Sequence, residues 1–108
     1  MKTSWTIHYH SAGLQQDLLA LPSTLQARYL HLTRRMLEFG PDLGLPHTKA
    51  LGDGLFEMRL KGAEGIARVL NCTLSGRRII VLHQFIKKSD QTPAREIAVA
   101  RRRMKEVK

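Results

Sequence analysis

Arg59, Arg68 and His83 sit in three consecutive segments whose alternating or continuous apolar pattern reads as β-strand, so their side chains can be placed by strand register. Register in a hairpin follows from loop length and turn type. A four-residue turn over residues 62–65 pairs Lys61 with Ile66 and sets Arg59 opposite Arg68. A two-residue turn at Ser75 and Gly76 pairs Leu74 with Arg77 and sets Arg68 opposite His83. Like charges directly opposite on a sheet are unfavourable, so a row of Arg59, Arg68 and His83 implies an anion lying over it. A phosphodiester fits. Arginine donates two parallel hydrogen bonds to phosphate oxygens, which suits the dianionic phosphorane formed when an RNA 2′-hydroxyl attacks the neighbouring phosphate. Lys49, Lys87 and Lys88 could add charge to this row, and Lys61 and Phe85 are taken with Lys49 and Lys87 as RNA contacts. Two competing readings stay open: Arg59 and Arg68 could pair with Glu57 and Glu64 as ordinary surface bridges, and His83 could be a hydrogen-bonded core residue and not a proton carrier.

Other chemistries have less support. The chain holds no glycine-rich phosphate loop, no His-Glu metal helix and no paired-carboxylate motif, and its five histidines lack metal-ligand spacing, so neither a metal nor a cofactor is expected. Cys72 is the only cysteine, which excludes an internal disulfide framework and fits a reducing compartment. Pairing Cys72 with His83 as nucleophile and base would need an exposed thiolate, whereas both fall in segments read as inner strands.

The elements that must position these residues follow from periodicity. Residues 4–9 carry Trp5, Ile7 and Tyr9 on one side, the period-2 pattern of a short first strand. Leu14, Leu18, Leu19 and Leu21 fit a short helix ending before Pro22, which suits the first turn of the next one. In that helix Leu25, Tyr29, Leu32, Met36 and Phe39 form an apolar stripe that Leu30 and Leu37 widen, and Gly40 with Pro41 ends it. The two helices should form a hairpin. Residues 41–54, rich in Gly, Pro and Asp, read as a connecting loop carrying His47, Thr48 and Lys49. Residues 55–61 alternate, with Phe56, Met58 and Leu60 on one face and Glu57, Arg59 and Lys61 on the other. Residues 66–74 and 77–86 are nearly continuous apolar runs, the pattern of inner strands. Thr92 and Pro93 make an N-cap and first-turn pair for a basic terminal helix lined by Ile97, Ala100, Met104 and Val107. The reading is an α+β fold: N-terminal strand, helical hairpin, three-stranded antiparallel meander and C-terminal helix, with the helices against one sheet face and the other face left for function.

Composition bounds the partners. With 108 residues, 43% hydrophobic and 25% charged, a single domain over residues 1–108 is expected, able to fold without staples. Eighteen Lys and Arg against nine Asp and Glu give a formal charge of +9, which favours an anionic partner such as nucleic acid over a surface kept basic for solubility alone. Residues 1–10 lack a signal-type apolar core, and no stretch approaches the roughly 20 apolar residues of a membrane span, so a cytoplasmic location is expected.

At three places the chain resembles the phage-derived branch of the RelE/HigB toxin superfamily. They are Leu51-Gly52-Asp53-Gly54-Leu55-Phe56-Glu57-Met58-Arg59, Ala67-Arg68-Val69-Leu70, and Leu82-His83-Gln84-Phe85-Ile86-Lys87-Lys88 followed by Thr92-Pro93. Their order and spacing match that superfamily's arrangement over nearly the whole length. The resemblance implies a toxin of a type II toxin–antitoxin system, an endoribonuclease that enters the ribosomal A site, cuts messenger RNA and is silenced by a helix-turn-helix antitoxin. It implies that Arg59 contacts or activates substrate, that Arg68 stabilises the phosphate, that Lys88 beside Lys87 is a further basic active-site position, and that Lys49 is the basic residue before the sheet. One departure stands out: relatives place an aromatic hydroxyl or a histidine near the last helix, and residues 90–95 offer neither. The general acid is thus unassigned: His83 could fill the gap, or a lysine could instead neutralise the leaving oxygen. Rival functions on the same fold are a gyrase-inhibiting toxin and a non-catalytic RNA- or ribosome-binding protein.

Overall fold

The computed structural model describes residues 4–87 and 92–108. In chain order the elements are β1 Thr6–Tyr9, α1 Ala12–Leu19, α2 Ser23–Phe39, β2 Thr48–Gly52, β3 Leu55–Gly62, β4 Gly65–Leu74, β5 Arg78–Lys87 and α3 Ala94–Val107. The strands form one five-stranded sheet in the order β1-β5-β4-β3-β2. The expected α+β architecture is present: β3, β4 and β5 are its antiparallel meander, and β1 adds to β5 in parallel, Ile7 beside Ile79 and Tyr9 beside Val81.

Local chemistry explains the helix ends. Ser11 caps α1 by accepting the Leu14 N–H at 3.1 Å, which satisfies one of the donors a helix start leaves open. Pro22 and Pro93 both stand at the N-cap, one position earlier than expected, and Thr92 turns its hydroxyl to Glu57 instead of capping α3. In α2, Leu25, Tyr29, Leu32 and Met36 are buried as one stripe. Leu30 and Leu37 do not widen it; they lie about a third of a turn away and remain exposed. Phe39 is 64% exposed because the helix stops there at Gly40, whose positive φ of 89° and close approach to the Trp5 ring leave the sheet side to Trp5.

Three features differ from the sequence reading. Residues 41–54 are not all loop: Thr48–Gly52 forms β2, antiparallel to β3 with Thr48 beside Met58 and Lys49 beside Glu57. A short, polar edge strand carries no apolar alternation, so periodicity cannot reveal it. Second, the β4–β5 turn has three residues, Ser75, Gly76 and Arg77, with positive φ at the last two, so that Leu74 pairs with Arg78. A bulge then lets Leu70 meet His83 while Asn71 meets Val81. The two one-residue shifts add, and Arg68 faces Phe85 instead of His83. Third, the helices do not share one face. α1 and α2 bury Leu14, Leu18, Leu25 and Met36 against Met58, Leu60, Val69 and Val81. On the opposite face α3 packs Ala100 and Met104 onto Leu55, Leu70, Cys72, Ile80 and Leu82. The continuous apolar runs of β4 and β5 supply both cores, as strands buried on two faces must.

Candidate functional site

On the face that α3 half covers, register arranges three rows beyond the apolar cluster. Glu57, Leu70 and His83 form the first, with Lys49 beside Glu57; Arg59, Arg68 and Phe85 form the second; Lys61, Ile66 and Lys87 form the third. The Arg59–Arg68 neighbour pair is the one expected, although Gly62 pairs with Gly65 and only Ala63 and Glu64 join the strands. What lies against it is Glu57, 2% exposed, whose Oε1 is 3.8 Å from Arg59 Nε and whose Oε2 is 3.7 Å from Arg68 Nε. The Thr92 hydroxyl donates to the same carboxylate. One buried carboxylate between two guanidiniums offsets their repulsion and leaves a net positive charge.

Beyond Arg59 the β3 edge is open, because β2 begins opposite Met58. The His47 carbonyl accepts the Arg59 N–H at 2.9 Å just before the edge opens. There a cleft of about 640 Å³ is lined by Arg28, His31 and Leu32 of α2, by Leu45, Pro46 and His47 of the connecting segment, and by Arg59, Lys61 and Arg68 of the sheet. Arg28, His31 and Leu32 stand at i, i+3 and i+4 and so share one helix stripe. The connecting segment is held by the buried Thr48 hydroxyl, which accepts the N–H groups of Leu43 and Gly44 at 2.8 and 2.9 Å. Four permanent cations and two imidazoles thus face one space, and no carboxylate is among its described lining residues. Such a cleft can hold a phosphate and oppose charge that builds up on it.

The expected site residues divide accordingly. Arg59, Lys61 and Arg68 come together in the cleft. Arg68 does not stand on a solvated face as its expected role requires: its side chain is 4% exposed, with Glu57 3.7 Å away and Phe85 beside it in the row. The surface-bridge reading is half right. Both arginines approach Glu57, whereas Glu64 accepts hydrogen bonds from Thr24, which hold its carboxyl below the usual carboxylate range. His83 lies outside the cleft, with Nε2 2.6 Å from Glu96 Oε1 of α3 and its ring 5.7 Å from that of Phe85. It is a part-buried, hydrogen-bonded histidine. Lys49 is exposed in β2 but does not line the cleft. Lys87 shares a row with Lys61 and is buried, so it is not an open surface contact. Lys88 lies outside the described residues.

Arg28, His31 and His47 escaped the sequence reading. The signal for the first two is their position at the polar border of the α2 stripe, adjacent to buried Leu32; His47 carries no local signal beyond its place before β2.

Residues 16–105 match the family described as Phage derived protein Gp49-like (DUF891), a span that includes every cleft residue. No curated protein matches the chain.

Proposed function

The chain belongs to the phage-derived Gp49-like family, and from that membership we propose that it is the toxin of a type II toxin–antitoxin system, acting as a metal-independent endoribonuclease on messenger RNA. The observation that carries the reading is the cleft with Arg28, Arg59, Lys61 and Arg68 on its walls. In the proposed reaction the RNA 2′-oxygen bonds to the adjacent phosphorus while the bond from phosphorus to the 5′-oxygen breaks, leaving a 2′,3′-cyclic phosphate and a 5′-hydroxyl. Arg59 and Arg68 stabilise the extra negative charge of the phosphorane, and Lys61 and Arg28 hold flanking phosphates. Glu57 keeps both guanidiniums aimed before substrate arrives. Translating ribosomes present the messenger, and a helix-turn-helix antitoxin is the inhibitory partner.

The test is direct. Purified protein is incubated with translating ribosomes and with free RNA in EDTA, and new 5′ ends and 2′,3′-cyclic phosphates are mapped. Defined products that disappear in Arg59→Ala support the reading, and free RNA cut in EDTA supports metal independence. Folded protein that leaves messenger intact in both settings sinks it, and DNA breaks made with gyrase in place of RNA products point to the rival toxin class.

A further inference from the structure

The five histidines sort by their surroundings. His10 Nε2 lies 2.6 Å from Glu106 and His83 Nε2 lies 2.6 Å from Glu96, so both are occupied in tying α3 to the sheet. His8 bonds Thr6 on β1, at the sheet edge away from the cleft. The remaining two, His31 and His47, both line the cleft, and neither ring is engaged by another described residue. They arrive from different sides. His31 projects from α2 one turn beyond Arg28, and His47 is fixed through its carbonyl beside Arg59.

We infer that His31 and His47 are the general acid and base of the ribonuclease reaction, an inference that rests on the function proposed above. Breaking RNA through its 2′-hydroxyl needs one proton removed and another supplied. One imidazole, neutral, takes the proton of the 2′-hydroxyl as that oxygen bonds to phosphorus. The other, protonated, gives its proton to the 5′-oxygen as its bond to phosphorus breaks. Imidazole is the side chain most often used to take up and give back protons in catalysis, and two of them stand on the walls of this basic cleft. The charged groups lining the cleft with them are Arg28, one turn from His31 on α2, Arg59, whose N–H bonds the His47 carbonyl, and Lys61 and Arg68 of the sheet. The sequence left the general acid open between His83 and a lysine; the geometry points to a different pair.

The experiment compares wild type, His31→Ala, His47→Ala and, as a control outside the cleft, His8→Ala, on an RNA the wild type cleaves. Rates are read against pH. A bell-shaped profile is expected for wild type and His8→Ala; each cleft variant should be slower by about a hundredfold or more, one losing the acidic limb and the other the alkaline limb. Sulfur in place of the bridging 5′-oxygen makes a leaving group that needs no proton, so it should rescue only the variant lacking the acid. Binding of a 2′-deoxy analogue should change little in either. Wild-type rates in both cleft variants overturn the inference and leave the ribonuclease reading standing on Arg59→Ala. Equal loss on oxygen and sulfur substrates, with weakened binding of the deoxy analogue, also overturns it, since the histidines would then only bind phosphate. Absence of RNA cleavage by the wild type overturns both.

Discussion

Arg68 serves stability and the site together, and the two contributions can be separated. Removing one partner of a buried ion pair leaves the other charge uncompensated and costs about 3–5 kcal/mol. Arg68→Ala still leaves Glu57 with Arg59 at 3.8 Å and the Thr92 hydroxyl, so it should cost less than that, about 1–3 kcal/mol, read as a lower urea midpoint of unfolding. This reverses what a solvated arginine would do, and it makes Arg68→Ala a poor test of catalysis. Arg59 is better, because its side chain is 28% exposed. Arg59→Ala should keep a near-native melting temperature while cleavage falls by about a hundredfold or more, as when a charge-stabilising donor is lost. Cys72 gives a second residue-scale check. Burial pushes its thiol up, against a smaller opposing pull from Lys108. Its folded value lies above the unfolded one, so its contribution to stability is complete below the ordinary thiol range and fades as pH rises through it. In the native protein at neutral pH, Cys72 should react with a thiol reagent on the order of a hundredfold or more slower than in urea. Equal rates would contradict its burial.

Among the elements, α3 is the one whose placement shapes the face that carries the arginines. It is tied near its start by His83–Glu96 and near its end by His10–Glu106, and between them Arg103 donates to the Leu82 carbonyl at 2.8 Å and Arg101 to that of Leu51 at 3.0 Å. His83→Ala removes the first tie. The expected result is faster amide exchange over residues 94–100 with a modest global loss, about 1 kcal/mol, typical of one hydrogen bond. The start of α2 docks more tightly. A Cβ on Gly62 would collide with the Thr24 hydroxyl and crowd Leu25, and that hydroxyl also accepts the Ala63 N–H at 2.9 Å. Gly62→Ala should cost about 1–3 kcal/mol through overpacking, measured by denaturant unfolding, and a neutral result would mean that the turn yields easily.

For the whole molecule, the formal charge of +9 predicts strong dependence of RNA binding on salt. If the four cations of the cleft each neutralise one phosphate of a single strand, the logarithm of affinity should fall with the logarithm of salt at a slope of about −3. Arg28→Ala should reduce that slope by close to one phosphate's share. A slope near zero would count against the proposed binding of RNA by the positive surface. No helix among the described residues is long and apolar enough to cross a membrane.

The sequence by itself determined what depends on local spacing. The α2 stripe of Leu25, Tyr29, Leu32 and Met36, the alternation of β3 and the turn that sets Arg59 against Arg68 are all read within a few residues, because helix and strand periods act over one or two turns or pleats. Tertiary structure decided the rest. An extra turn residue and a bulge are invisible to a period-2 pattern, since beyond the bulge they together shift register by two and return the side chains there to the expected face, yet they replace His83 by Phe85 beside Arg68. β2 escaped notice because an edge strand needs no apolar face. Arg68 is buried beside Glu57, whose carboxylate also takes the hydroxyl of Thr92 from more than twenty residues later, an arrangement no local pattern reveals. The cleft has the same origin: Arg28 and His31 come from a helix, His47 from a connecting segment and Arg59 and Arg68 from adjacent strands, and only the packing of α2 beside the open edge of β3 brings their charges to one place.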